Sequence, residues 1–171
     1  QQKQQTAITK APVVKNASFE QGLTGWESRG NAETSILKLD NAHDGDHVAR
    51  IQSISSAGIS SLITEINATW NDRITASVMI ETQAMNDDYP VEARLRIVGT
   101  DRFKKPIQYI DKQLRGVNSW TELRIDQVIP NSNDWPHVKR IFLIIISSTH
   151  ATKNTNHKCG SEAAGESCVN P

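Results

Sequence analysis

Two stretches of the chain alternate with a period of two. Ile74, Ala76, Val78 and Ile80 are interleaved with Thr75, Ser77, Met79 and Glu81. Val91, Ala93, Leu95 and Ile97 are interleaved with Glu92, Arg94, Arg96 and Val98. That pattern predicts strands with one buried and one polar face. Further short β-type runs lie at 13–19, 35–39, 48–54, 59–66, 106–110, 119–129 and 138–148. The run from Ile141 to Ile146 is apolar on both faces, which predicts a central strand covered on both sides or one that meets a partner.

Turn-forming clusters separate these runs at 41–46, 86–90, 115–118 and 130–136. No stretch carries a convincing 3.6-residue period. About nine short strands at this spacing, without helices, predict an antiparallel β-sandwich or barrel. With 171 residues, the chain is long enough to bury a full core. Residues 1–12, rich in Gln and Lys, read as a flexible arm. Residues 13–148 carry the strands, and 149–171 form a polar tail.

Lys+Arg and Asp+Glu both number 19, so the net charge is zero. No basic run is present and no apolar run reaches membrane-spanning length, which argues against nucleic acid as a partner and against a membrane span. The chain opens Gln1-Gln2-Lys3, as a processed or trimmed terminus would. Cys159 and Cys168 flank a small loop. Joined as a disulfide, they would fit a secreted or extracytoplasmic protein, in the periplasm or at the cell surface.

No sequence motif for nucleophilic, zinc-peptidase or nucleotide chemistry occurs. Neighbouring acids such as Asp44 and Asp46, or Asp87 and Asp88, sit in turns, where acids commonly form the turn itself. The reading is therefore non-catalytic. Exposed aromatics and planar polar side chains suit sugar rings and hydroxyls. Trp70, Tyr89 and Trp135 fall in turns and Tyr109 on a strand. Glu92, Arg94 and Arg96 share one strand face, with Gln108 nearby. These residues form the candidate ligand-binding set.

One stretch carries a more specific signal: Asn16, Ser18, Phe19 and Glu20, then Gly22, Gly25 and Trp26. The two glycines permit positive φ in a tight loop, so Trp26 can fold back as a plug. A second block runs Ala42-His43-Asp44-Gly45-Asp46-His47-Val48-Ala49-Arg50-Ile51, and a third Trp120-Thr121-Glu122-Leu123 before Ile129-Pro130. In order and spacing these blocks resemble the jelly-roll carbohydrate-binding modules with galactose-binding-like sandwiches. The resemblance implies an all-β antiparallel jelly-roll β-sandwich, a polysaccharide or glycan as partner, and structural roles for Trp26 and Trp120. The oxygen-rich rim beside this opening suggests a structural Ca2+ held by Glu20, Asp44 and Asp46.

Such modules usually end on a strand that pairs with the first strand, and no apolar run follows Ser148. The run at 13–19 is thus expected to be an open sheet edge, available to the arm or to another copy of the protein. This motivates the alternative reading, a structural subunit of an extracellular assembly joined by strand addition.

Overall fold

The structure, a computed structural model, describes residues 14–30, 32–42, 45–52, 58–84 and 90–149. The arm at 1–12, Asp44, Tyr89, Cys159 and Cys168 lie outside the described residues, and so does the expected disulfide.

Nine strands and no helix form among the described residues: β1 (Glu27–Gly30), β2 (Glu33–Lys38), β3 (His47–Gln52), β4 (Gly58–Ile66), β5 (Arg73–Thr82), β6 (Val91–Thr100), β7 (Pro106–Arg115), β8 (Asn118–Val128) and β9 (Arg140–Thr149). Strands β1, β4, β9, β6 and β7 lie side by side, in that order, in one antiparallel sheet. β5 pairs with β8, and β2 with β3.

Burial follows the alternation. Leu95 and Ile97 of β6 stand opposite Ile145 and Leu143 of β9, and β9 in turn places Ile145 and Ile141 opposite Leu62 and Ile66 of β4. This inner face meets Ile74 of β5 and Leu123 and Ile125 of β8 in one apolar cluster. Leu62, Ile97 and Ile125 are essentially removed from water. At about 25 cal/mol per Å2 of apolar surface, each such side chain stabilises the fold by about 2 kcal/mol. As the apolar run at 141–146 predicts, β9 is a central strand, bonded to β4 and β6 along its length.

One expected strand does not form. Residues 15–18 are turn, and both Asn16 and Phe19 take positive φ, at 52° and 60°. A ladder cannot run through two left-handed residues. The side chain of Asn16 organises this loop. Its Nδ2 donates to the carbonyls of Gly22 and Thr24 at 2.8 and 3.1 Å, and its Oδ1 accepts from the Gln21 amide at 3.0 Å. Trp26 Nε1 donates to the Asn16 carbonyl at 3.2 Å, and the Phe19 and Trp26 rings lie 5.3 Å apart. Trp26 packs against the core, so it does act as the expected plug. The edges of the five-stranded sheet are β1 and β7, so the described residues 14–19 are not the open edge on which strand addition rested.

Candidate functional site

The β6–β7 and β6–β9 registers fix what faces outward from the five-stranded sheet. Glu92, Arg94, Arg96 and Val98 of β6 stand opposite Ser148, Ile146, Ile144 and Phe142 of β9. On the other side they stand opposite Arg115, Gln113, Asp111 and Tyr109 of β7. β4 extends the same rows with Ile59, Ser61, Ile63 and Glu65. The face is therefore divided: isoleucines interspersed with serines over most of β4 and β9, and charged side chains over β6 and β7. A groove of about 490 Å3 follows this division, lined by Gly58, Ile59, Ile146, Ser148 and Thr149 on one side and by Glu92, Arg94, Arg96 and Arg115 on the other.

The charged half is one connected network. Glu92, 4% exposed, accepts from Arg94 Nε at 2.5 Å and from Arg115 Nε at 2.9 Å. Arg94 also reaches Asp111 at 3.4 Å, and Arg96 Nη2 donates to the same carboxylate at 2.8 Å. The Arg96 guanidinium lies 4.2 Å from the centre of the Tyr109 ring. Burial pushes the Glu92 pKa up, but the hydrogen bonds from Arg94 and Arg115 outweigh it and hold the carboxyl below 4.5. Arg94 is raised, chiefly by its bond to Glu92.

The structure sorts the sequence-derived residues. Glu92, Arg94, Arg96 and Tyr109 share this outer face. Gln108 does not, because its register partner is Gly99 on the inner side of β6. Trp135 is not an exposed loop aromatic. It is 6% exposed and belongs to the core cluster. Trp70 is half-buried against that cluster, with Nε1 donating to the Trp135 carbonyl at 2.9 Å. Both indoles close one end of the sandwich, where apolar area is better used against the core than in water. Arg115, Ser148 and Ile146 complete the groove, Asp111 braces two of its arginines, and all four escaped the sequence reading. The signal was present in part: a hairpin closing over 101–105 necessarily brings 111–115 beside 92–96.

Glu20 does come to the turn that carries Asp46, but as a hydrogen-bond acceptor. Its Oε1 accepts from the amides of Asp46 and His47 at 2.8 and 3.0 Å, and Oε2 lies 2.6 Å from His47 Nδ1. A Cβ on Gly45, whose φ is +65°, would collide with this carboxylate. Calcium needs a shell of free oxygen lone pairs. Here N–H donors surround the carboxylate, and Asp46 lies 3.7 Å from Lys38 Nζ. No group of three or more His, Cys, Asp or Glu converges among the described residues. The described residues of the expected set therefore do not fit a calcium cage.

No protein-family model and no curated protein sequence matches this chain. Solved structures do. TmCBM61, solved in complex with β-1,4-galactotriose, superposes with a TM-score of 0.55 at 14% identity, over 83% of this chain and 90% of that one. The fold is that of the carbohydrate-binding β-sandwich modules. The C-terminal family 22 module of Clostridium thermocellum Xyn10B gives a TM-score of 0.52 at 15% identity, over 78% of this chain and 87% of its own. The enzymatically active domain of bacteriophage CBA120 tailspike protein 4 gives 0.58 at 9% identity over 81% of this chain, which spans 20% of the tailspike chain. The two modules thus match over nearly their whole length, and the tailspike over a fraction of it. No helix among the described residues is long and apolar enough to cross a membrane.

Proposed function

We propose that this domain is a non-catalytic glycan-binding module that receives a polysaccharide on the outer face of the five-stranded sheet. The observation that carries the reading is the divided groove. An aliphatic strip suits the CH faces of sugar rings, and a fixed row of planar charged groups beside it suits their oxygens. Concave sites with an apolar lining and a few oriented polar groups are the usual form of a ligand site. Matches to modules named for galactotriose and xylan binding support the same reading.

The chemistry of the face argues against hydrolysis. Glycoside cleavage uses two carboxyl groups, one kept protonated as the acid. Glu92 is held ionised by two arginines, and Asp111 is bonded to Arg94 and Arg96. An extracytoplasmic location follows from the ligand class, because polysaccharides of this kind lie outside the cell.

Titration calorimetry against a panel of soluble polysaccharides tests the reading. Binding should occur, and Arg94→Ala should weaken it roughly tenfold, the equivalent of about 1.4 kcal/mol for one charge-assisted hydrogen bond. No binding to any member of a broad panel at high protein concentration overturns it.

A further inference from the structure

We infer that the groove selects acidic polysaccharides, those bearing uronate carboxylates, over neutral ones. The inference rests on the glycan-binding reading and names the ligand class of that same site.

The first observation is the charge of the lining. Arg94, Arg96 and Arg115 line the groove with one acid, Glu92. Asp111, on β7, counters Arg94 and Arg96, so three guanidiniums face two carboxylates across the network. Among the described residues of the network, one positive charge is left over, in a chain that is neutral as a whole. Arg115 is 71% exposed and gives its Nε to Glu92, which leaves its terminal nitrogens as donors at the mouth.

The second observation is the balance of donors and acceptors. A sugar hydroxyl both donates and accepts, whereas a carboxylate only accepts. Both Glu92 oxygens already receive an arginine. Beside the hydroxyl residues Ser148 and Thr149, the charged part of the lining is three guanidiniums rich in N–H donors and one carboxylate already engaged by two of them. Guanidinium forks match carboxylates in shape, and the charge-assisted bonds are about twice as strong as neutral ones.

The third observation is the lack of a stacking platform for a neutral ring. Among the described residues Tyr109 is the one exposed aromatic of this sheet face, and Arg96 lies over its ring. Phe142, on the same face, is buried. The uncharged lining is Ile59 and Ile146 with the hydroxyl residues Ser148 and Thr149, and no aromatic ring. Orientation and affinity then fall to the arginines.

The experiment compares the purified protein with four polymers: polygalacturonate, the same polymer fully methyl-esterified, unsubstituted xylan and β-1,4-galactan. Esterification removes the charge and keeps the backbone. Polygalacturonate should bind at least about tenfold more tightly than the other three, and its affinity should fall as salt rises from roughly 20 to roughly 500 mM. Arg115→Gln should weaken polygalacturonate binding about tenfold. Arg73→Gln, which removes an equal charge from β5 on the other layer, should leave it unchanged. Equal binding to the charged and esterified polymers, or preference for a neutral one, overturns the inference and leaves the glycan-binding reading standing. Equal losses in the Arg115 and Arg73 variants also overturn it, by showing a charge effect with no site. Binding to none of the polymers, with none elsewhere in the broad panel, overturns both.

Discussion

Glu92 and Arg115 stand opposite each other in the β6–β7 register and join at 2.9 Å, one side chain 5% exposed and the other 71%. The carboxylate is thus anchored in the sheet face while its partner reaches water. Removing the anchor should cost more than removing the partner. Glu92→Ala leaves Arg94 and Arg115 without their shared acceptor. Breaking a fully buried pair costs about 3–5 kcal/mol. Both arginines here reach solvent, so the expected loss is about 2 kcal/mol in urea unfolding. Arg115→Gln should cost under about 1 kcal/mol, as exposed pairs do.

The same carboxylate sets a pH dependence. Its folded pKa lies below 4.5 because the arginine bonds outweigh burial, and its unfolded pKa is near 4.5. A depressed carboxylate contributes stability that is fully present above the unfolded pKa and is lost as pH falls through the folded one. Glu20, lowered first by the His47 side chain and then by the Asp46 amide, acts in the same direction. Stability should therefore fall as pH drops below about 4.5. In Glu92→Gln, with no proton to take up, that acid slope should be shallower. A slope as steep as the wild type would show that the arginines do not hold this group ionised.

The loop before β1 depends on one side chain. Asn16 makes three hydrogen bonds to the loop backbone and sits at φ 52°, where an Asn is tolerated far better than an Ala. Asn16→Ala should lower stability by about 3–4 kcal/mol, since each of the three lost bonds contributes about 1 kcal/mol and the left-handed backbone adds strain. Asn16→Asp keeps the acceptor for Gln21 but sets a carboxylate oxygen against the carbonyls of Gly22 and Thr24, so its melting temperature should also fall clearly below that of the wild type.

How far the sequence carried the argument is visible residue by residue. The period-two runs placed β5 and β6 because each strand has one dry face, and the apolar run at 141–146 placed a central strand, which the structure pairs along both edges while its outer face lines the groove. β1 was missed: Glu27–Gly30 has no apolar residue, and its place comes from pairing with β4. Residues 13–19 misled for the opposite reason. Their composition is β-like, but the Asn16 side chain offers the backbone a turn instead. Of the site, the β6 triad was legible from alternation. Arg115 and Asp111 were not, because the mostly polar stretch 111–115 hid the extension of the strand beyond 110, although a turn over 101–105 sets the register that brings it beside β6. The loop tryptophans were misjudged because a turn position says nothing about which side of the turn faces the core.

Trp135 supplies the test of that last point. It covers Gly99 of β6: a Cβ built there would lie 2.9 Å from both the Trp135 ring and Val138. The absence of a side chain at Gly99 is what lets the indole approach the strand this closely. Gly99→Ala must push the ring or the strand, and overpacking of this kind costs about 1–3 kcal/mol. Trp135→Ala removes a large core side chain and should cost about 3–5 kcal/mol. The double variant should be less destabilised than the two losses added together, because the methyl then fills part of the space the indole leaves. If Trp135 served the ligand instead, Trp135→Phe would weaken polysaccharide binding while the protein stayed folded. The packing predicts the reverse: a lower melting temperature, and binding unchanged at temperatures well below it.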